Sequence, residues 1–212
     1  MKVELLSHTP AAEEVIELAA RTCYDSKSGS KERRDKFLQG IIKSGHTSVI
    51  EHASASFRIS GVSRALTHEL VRHRIGFSYS QRSQRYCSED GFQYVTPDSI
   101  QNHSRTSFET FNNVMRECEK AYKELIDIGI PKEDARFVLP NACCTEIVVT
   151  ANFRAWRNFL SLRLDKRAQW EIRSLARKIL EYLYELAPAI FVDLYSTYIS
   201  VPAALGKEPN NE

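Results

Sequence analysis

The sequence reads as a chain of mixed α and β structure, built without a glycine-turn dinucleotide motif. Three observations carry that reading. Long stretches with apolar residues every three to four positions alternate with short β-branched or strictly alternating runs. Neither a G-x-G-x-x-G nor a P-loop sequence occurs. The 212 residues are 42% hydrophobic at a net charge of +2, which suits a buried core and argues against a disordered or polynucleotide-coating chain. One domain covering 1–212 is expected, with 206–212 a mobile polar tail.

Lys2 to Leu6 is a short apolar strand. Thr9-Pro10 reads as the cap and first residue of a helix from Ala11 to Thr22, closed by Cys23-Tyr24. A second helix, about 31–44, sets Phe37, Leu38, Ile41 and Ile42 on one face and stops at Gly45. The run Gly45-His46-Thr47-Ser48-Val49-Ile50-Glu51-His52 then leads into strict alternation. Ala53, Ala55, Phe57 and Ile59 face one way, and Ser54, Ser56, Arg58 and Ser60 the other, as in a half-buried strand. Read as successive strand residues, Glu51 and His52 point to opposite faces, and no third histidine is near. No metal site is therefore predicted from His46, Glu51 and His52.

Val62, Ala65, Leu66 and Leu70 predict a helix ending near Arg74, with Gly76 opening a loop. Residues 87–103 read as irregular. From Ser104 to Ile128 a long helix repeats Phe108, Phe111, Met115, Cys118, Tyr122 and Leu125, a stripe for a core or a helix–helix interface. Pro131 starts a short helix reaching Arg136. Cys143 to Thr150 reads as a strand, and Asn152 stands where an N-cap belongs. The helix after it buries Phe153, Trp156, Leu160 and Leu164, while Arg154 and Asn158 share its outer face and Arg163 lies near its end. A final helix spans about 169–186.

Function concentrates between Glu69 and Tyr86. Arg72, Arg74, Arg82 and Arg85 fall in this stretch, with Arg64 just upstream, against the single carboxylate of Glu69. Cations in a last helical turn suit the helix dipole, which accounts for Arg72 and Arg74 but not for Arg82 and Arg85. Guanidinium forks interleaved with Ser and Gln suit a phosphate and a flat polar ring. A solvated basic surface remains the alternative. Tyr79 and Tyr86 also allow a single-strand-binding reading, which the near-neutral net charge opposes. A helical assembly protein without ligand is the third reading. Cysteines 23, 87, 118, 143 and 144 form no C-x-x-C pair, so a reduced, cytoplasmic protein is expected, and no run is long enough to span a bilayer. Met1 leads into K-V-E-L-L-S rather than a signal peptide.

Arg72-His73-Arg74 followed by Ser83-Gln84-Arg85-Tyr86 resembles the signature of flavin-dependent thymidylate synthases. That family's pattern sets seven residues between Arg-His-Arg and Ser. Here eight precede Ser83, an insertion placed most simply in Ile75-Gly76-Phe77. Three further blocks fit in order: Gly45-His46 with Glu51-His52, Arg136-Phe137-Val138-Leu139-Pro140, and Asn152-x-Arg154-x-x-x-Asn158 with Arg163 and Ala168 to Ile172.

The resemblance implies an α+β fold with a mixed or antiparallel sheet and long flanking helices, unlike the Rossmann fold. It implies a homotetramer with shared active sites, and no nucleic-acid or membrane partner. The implied reaction is reductive methylation of deoxyuridylate (dUMP) at C5, giving dTMP. Methylenetetrahydrofolate would be the carbon donor, and FAD reduced by NADPH the hydride source. By matching position, His46, Ser48, Arg72, His73, Arg74, Ile75, Gln81, Asn152, Arg154 and Asn158 would contact FAD. Glu69, Arg72, Gln81, Arg82, Ser83, Gln84, Arg85, Arg136 and Arg163 would form the nucleotide pocket, with Arg163 catalytic. Glu69 stands where the family often has Gln, and Gln81 replaces a common Glu. Ordinary thymidylate synthase needs an activated cysteine; the flavin route does not, and no cysteine here sits in such a motif.

Overall fold

A computed structural model describes residues 1–23 and 25–200, so the predicted tail at 206–212 lies outside the described residues. The elements, in chain order, are β1 (Lys2–His8), α1 (Ala12–Thr22), α2 (Lys31–Lys43), a 3₁₀ turn (Thr47–His52), β2 (Ser54–Ser63), α3 (Arg64–Leu70) and β3 (Phe77–Gln81). They continue with α4 (Asp98–Gln101), α5 (Arg105–Asp127), α6 (Lys132–Ala135), a second 3₁₀ turn (Arg136–Val138), β4 (Cys144–Asn152), α7 (Phe153–Arg163), α8 (Trp170–Leu186) and α9 (Pro188–Tyr198). The four strands form one antiparallel sheet in the order β1-β2-β4-β3, flanked by long helices, and not a Rossmann arrangement. The pairing sense follows from its bonds: Phe153 N donates to Ala53 O and Arg64 N to Cys143 O, so β2 ascends as β4 descends.

The chain divides into two compact units. The first holds Met1–Glu4, Phe57–Arg74 and Ser78–Val149; the second holds Leu5–Ser56, Ile75–Phe77 and the chain from Thr150 onward. In the first, Phe57 and Ile59 of β2 and Ile147 and Val149 of β4 are buried by strand alternation, and Val62, Leu66 and Leu70 are buried with them. Helix α5 carries a capping box in which Ser104 and Ser107 exchange bonds. Only Met115 and Tyr122 of its stripe are fully buried, while Phe108 and Val114 remain exposed.

The second unit packs α7, α8 and α9 with α1, α2 and the first 3₁₀ turn. Trp156, fully buried, anchors it: its Nε1 donates to Ala55 O at 3.1 Å and its ring meets Phe77 edge-on at 5.0 Å. Phe153 meets Phe191 edge-on at 5.3 Å. The start of α9 is satisfied by Glu13, whose carboxylate accepts from Ala189 N at 2.7 Å.

Several sequence expectations need correction. Helix α1 begins after Ala11, which adopts φ 46°, so Thr9-Pro10 is not its cap; the Thr9 hydroxyl instead accepts from Ser54 N at 3.0 Å. Helix α3 ends at Leu70 with Val71 as cap, so Arg72, His73 and Arg74 lie beyond it, outside a last helical turn. The stretch after Gly76 is a strand rather than a loop. Glu51 and His52 belong to a 3₁₀ turn, not to the strand. Helix α8 is not the last: α9 follows, with Pro188 at its first turn, where a missing N–H costs nothing.

Candidate functional site

In the first unit the Arg72-His73-Arg74 turn is fixed from β3. The Tyr79 hydroxyl lies 2.6 Å from His73 O and 2.9 Å from Leu70 O, which also accepts from His73 N at 3.1 Å just past the end of α3. Burial raises the Tyr79 phenol above its ordinary range, which keeps it a donor. Arg72 and Arg74 are exposed, and among the described residues no carboxylate forms an ion pair with either. His73 and Glu69 are half-buried beside them.

Beyond β3 the chain turns through Arg82 to Cys87, and the side chains of Arg82, Ser83, Gln84 and Arg85 are each held by a hydrogen bond, as is that of Gln81 just before them. Gln81 donates to the hydroxyls of Thr67 at 3.0 Å and Thr145 at 3.3 Å. Arg82 reaches Ser88 O at 2.9 Å and the buried Glu89 carboxylate at 3.4 Å. The Ser83 hydroxyl accepts from Arg85 N at 3.2 Å, which leaves its own proton to donate elsewhere. Gln84 approaches Cys143 Sγ at 3.7 Å. Arg85 pairs with Glu133 at 2.6 Å, and Arg136 donates to the carbonyl of that same Glu133 at 3.0 Å. The structure therefore gathers Gln81, Arg82, Ser83, Gln84, Arg85 and Arg136 around one loop. Arg64 backs it: its Nη2 donates to Arg82 O, and its Nε is buried without a hydrogen-bond partner among the described residues.

In the second unit Asn152 caps α7, its Oδ1 accepting from Ala155 N at 2.8 Å. Gly76 presses against this cap. It adopts φ +76°, and a Cβ there would lie 2.9 Å from Ala155 Cβ and 3.1 Å from Asn152 Nδ2. The stretch holding the eighth residue of the Arg-to-Ser spacing thus contains a position open to glycine alone. Next to it, Ile75 is 93% exposed. Arg154 pairs with Glu51 of the 3₁₀ turn at 2.6 Å, and Asn158 is exposed one turn further on. Arg163, half-buried, closes α7; nine residues past Arg154, it lies about 13 Å along the axis and on the opposite side of the helix. His46 and Ser48 line a pocket of about 560 Å³ with Ala20, Phe37, Ile41 and Val49.

Sequence reasoning did not single out Glu89 or Glu133, named Tyr79 only as a stacking platform, and weighed Glu51 as a metal ligand and within the Gly45-His46 to Glu51-His52 block rather than as the partner of Arg154. The cysteines are all free thiols. Burial, with the Glu89 carboxylate adding to it, pushes Cys143 up to about 12, so it carries no thiolate at neutral pH. Alkylation by iodoacetamide in the native protein at pH 8 is expected to spare Cys143, as read by peptide mass spectrometry. Rapid native-state labelling would contradict this account of its surroundings.

This is an α+β protein with an arginine-rich loop in its first unit and an asparagine-capped helix in its second. Residues 4–189 match the Thy1 family, described as Thymidylate synthase complementing protein. Over 203 residues, 91% of this chain, it is 49% identical to a flavin-dependent thymidylate synthase of Geobacter sulfurreducens, covering 86% of that protein. It is 42% identical to the Clostridium tetani protein of that name, with 90% and 85% of the two chains covered. The Pyrococcus furiosus one is 44% identical, with 85% and 78% covered. The chain belongs to the flavin-dependent thymidylate synthase family.

Proposed function

We propose that this chain is a cytoplasmic enzyme that methylates deoxyuridylate at C5 to give thymidylate, with methylenetetrahydrofolate as carbon donor. Bound FAD, reduced by NADPH, supplies the hydride. The observation that carries this reading is the exposed Arg72 and Arg74 pair, without an ion-paired carboxylate among the described residues, next to a loop in which Arg82, Ser83, Gln84 and Arg85 are each oriented by a hydrogen bond. The donor set suits a flavin held without a glycine turn. Arg72 and Arg74 offer forks for phosphate, Asn152 and Asn158 offer amides, and His46 and Ser48 face a cleft with apolar walls.

The residues then divide the work. Arg82, Arg85 and Arg136 bind the nucleotide's phosphate and orient its base. Ser83 donates its proton to the base and polarises it. Arg163 places a fixed positive charge at the pyrimidine edge, which favours the N3-deprotonated form and makes C5 more nucleophilic. Large apolar side chains stand exposed beside four of these positions: Ile75 (93%), Phe137 (83%), Tyr86 (72%) and Leu162 (55%). Such residues suit burial between subunits, and with Arg163 turned away from Arg154 they favour a homotetramer whose chains share each site.

The test is the visible spectrum of the purified protein with and without added FAD. Flavin bands that bleach under NADPH, faster with deoxyuridylate present, are expected. A colourless protein that ignores FAD would sink the reading.

A further inference from the structure

The role of Glu133 follows from its geometry, on the reading above that Arg85 binds the nucleotide's phosphate. Glu133 sits on the short helix α6 and engages two of the nucleotide arginines at once. Its carboxylate accepts from Arg85 Nε at 2.6 Å, and its carbonyl from Arg136 Nε at 3.0 Å. Its neighbour Lys132 fastens the same helix to the same loop by donating to Tyr86 O at 3.1 Å. Arg85 and Glu133 are each about half exposed, so water and an incoming anion reach the pair.

We propose that Glu133 competes with the nucleotide phosphate for Arg85 and thereby makes the pocket select for a phosphate monoester. The carboxylate brings one charge and two acceptor oxygens. A phosphate monoester at neutral pH brings up to two charges and three oxygens, so it displaces the carboxylate from the guanidinium. A nucleoside without the phosphate leaves the pair closed and gains nothing from Arg85. Arg136, bonded to the backbone of Glu133 rather than to its side chain, stays in place through the exchange.

The consequence runs opposite to that of losing an ordinary binding residue. In calorimetric titrations of the FAD-loaded full chain, Glu133→Gln is expected to bind deoxyuridylate about two- to five-fold more tightly, the span of a half-exposed ion pair. The gap should narrow as salt is raised. Deoxyuridine affinity should not change. Lys132→Ala loosens the same helix without touching Arg85 and should give no tightening. Unchanged or weaker deoxyuridylate binding in Glu133→Gln, or equal tightening in Lys132→Ala, would overturn the proposal. Arg85→Ala separates the two layers. If it leaves nucleotide affinity intact, the pocket reading itself fails; if it weakens binding while Glu133→Gln does not strengthen it, only the competition fails.

Discussion

Arg163→Ala is expected to retain bound FAD while methylation turnover falls by about a hundred- to a thousand-fold, the cost of removing one preorganised donor from developing negative charge. The guanidinium terminates α7, where half-burial restricts its motion and weakens screening by water. It lies on the side of α7 opposite Arg154, so the flavin contacts proposed for Arg154 and Asn158 should survive the change. Arg163→Lys keeps the charge but loses the planar fork, and should fall between the two in kcat. Stopped-flow reduction of the flavin by NADPH, measured beside thymidylate formation, separates a lost methylation step from a lost cofactor. Normal thymidylate formation in Arg163→Ala would remove this residue from the chemistry.

The second large effect falls on a residue with no side chain. Gly76→Ala places a Cβ at φ +76°, a strain of about 1–2 kcal/mol for an ordinary residue. The new carbon also meets Ala155 Cβ at 2.9 Å, an overpacking cost of about 1–3 kcal/mol against a buried helix start. Together these should lower Tm by roughly 5–15 °C in a chain of this size. FAD retention should fall with it, because Ile75 and the Asn152 cap are the groups displaced. A melting curve and a flavin-to-protein absorbance ratio read both. An unchanged melting point would mean that the turn relaxes freely, and Gly76 would then lose its place in the argument.

Most of the helical framework was legible from the sequence. Ser104, Asn152 and Gln169 accept bonds at the starts of α5, α7 and α8, and the apolar face read for α7 is the one buried. Other features escaped, among them one strand, one helix and one helix end. Strand β3 alternates Phe77, Tyr79 and Gln81 with Ser78 and Ser80, but its half-buried, polar composition at the end of the sheet gives a weak signal. Helix α9 is apolar enough to lack a clear stripe, and its proline marks a start as readily as a break. The end of α3 was placed too late because arginines do not stop a helix by themselves.

The sequence by itself determined the family to which the chain belongs and where most of its helices and strands fall. Helical and strand periods are set by covalent backbone geometry and leave their mark within a few residues. Tertiary structure alone decided the partners. Arg154 finds Glu51 across 103 positions, Arg85 finds Glu133 across 48, and Gly76 must be bare because Ala155 stands against it. Charge pairing and close approach act through space, at separations that no local period records.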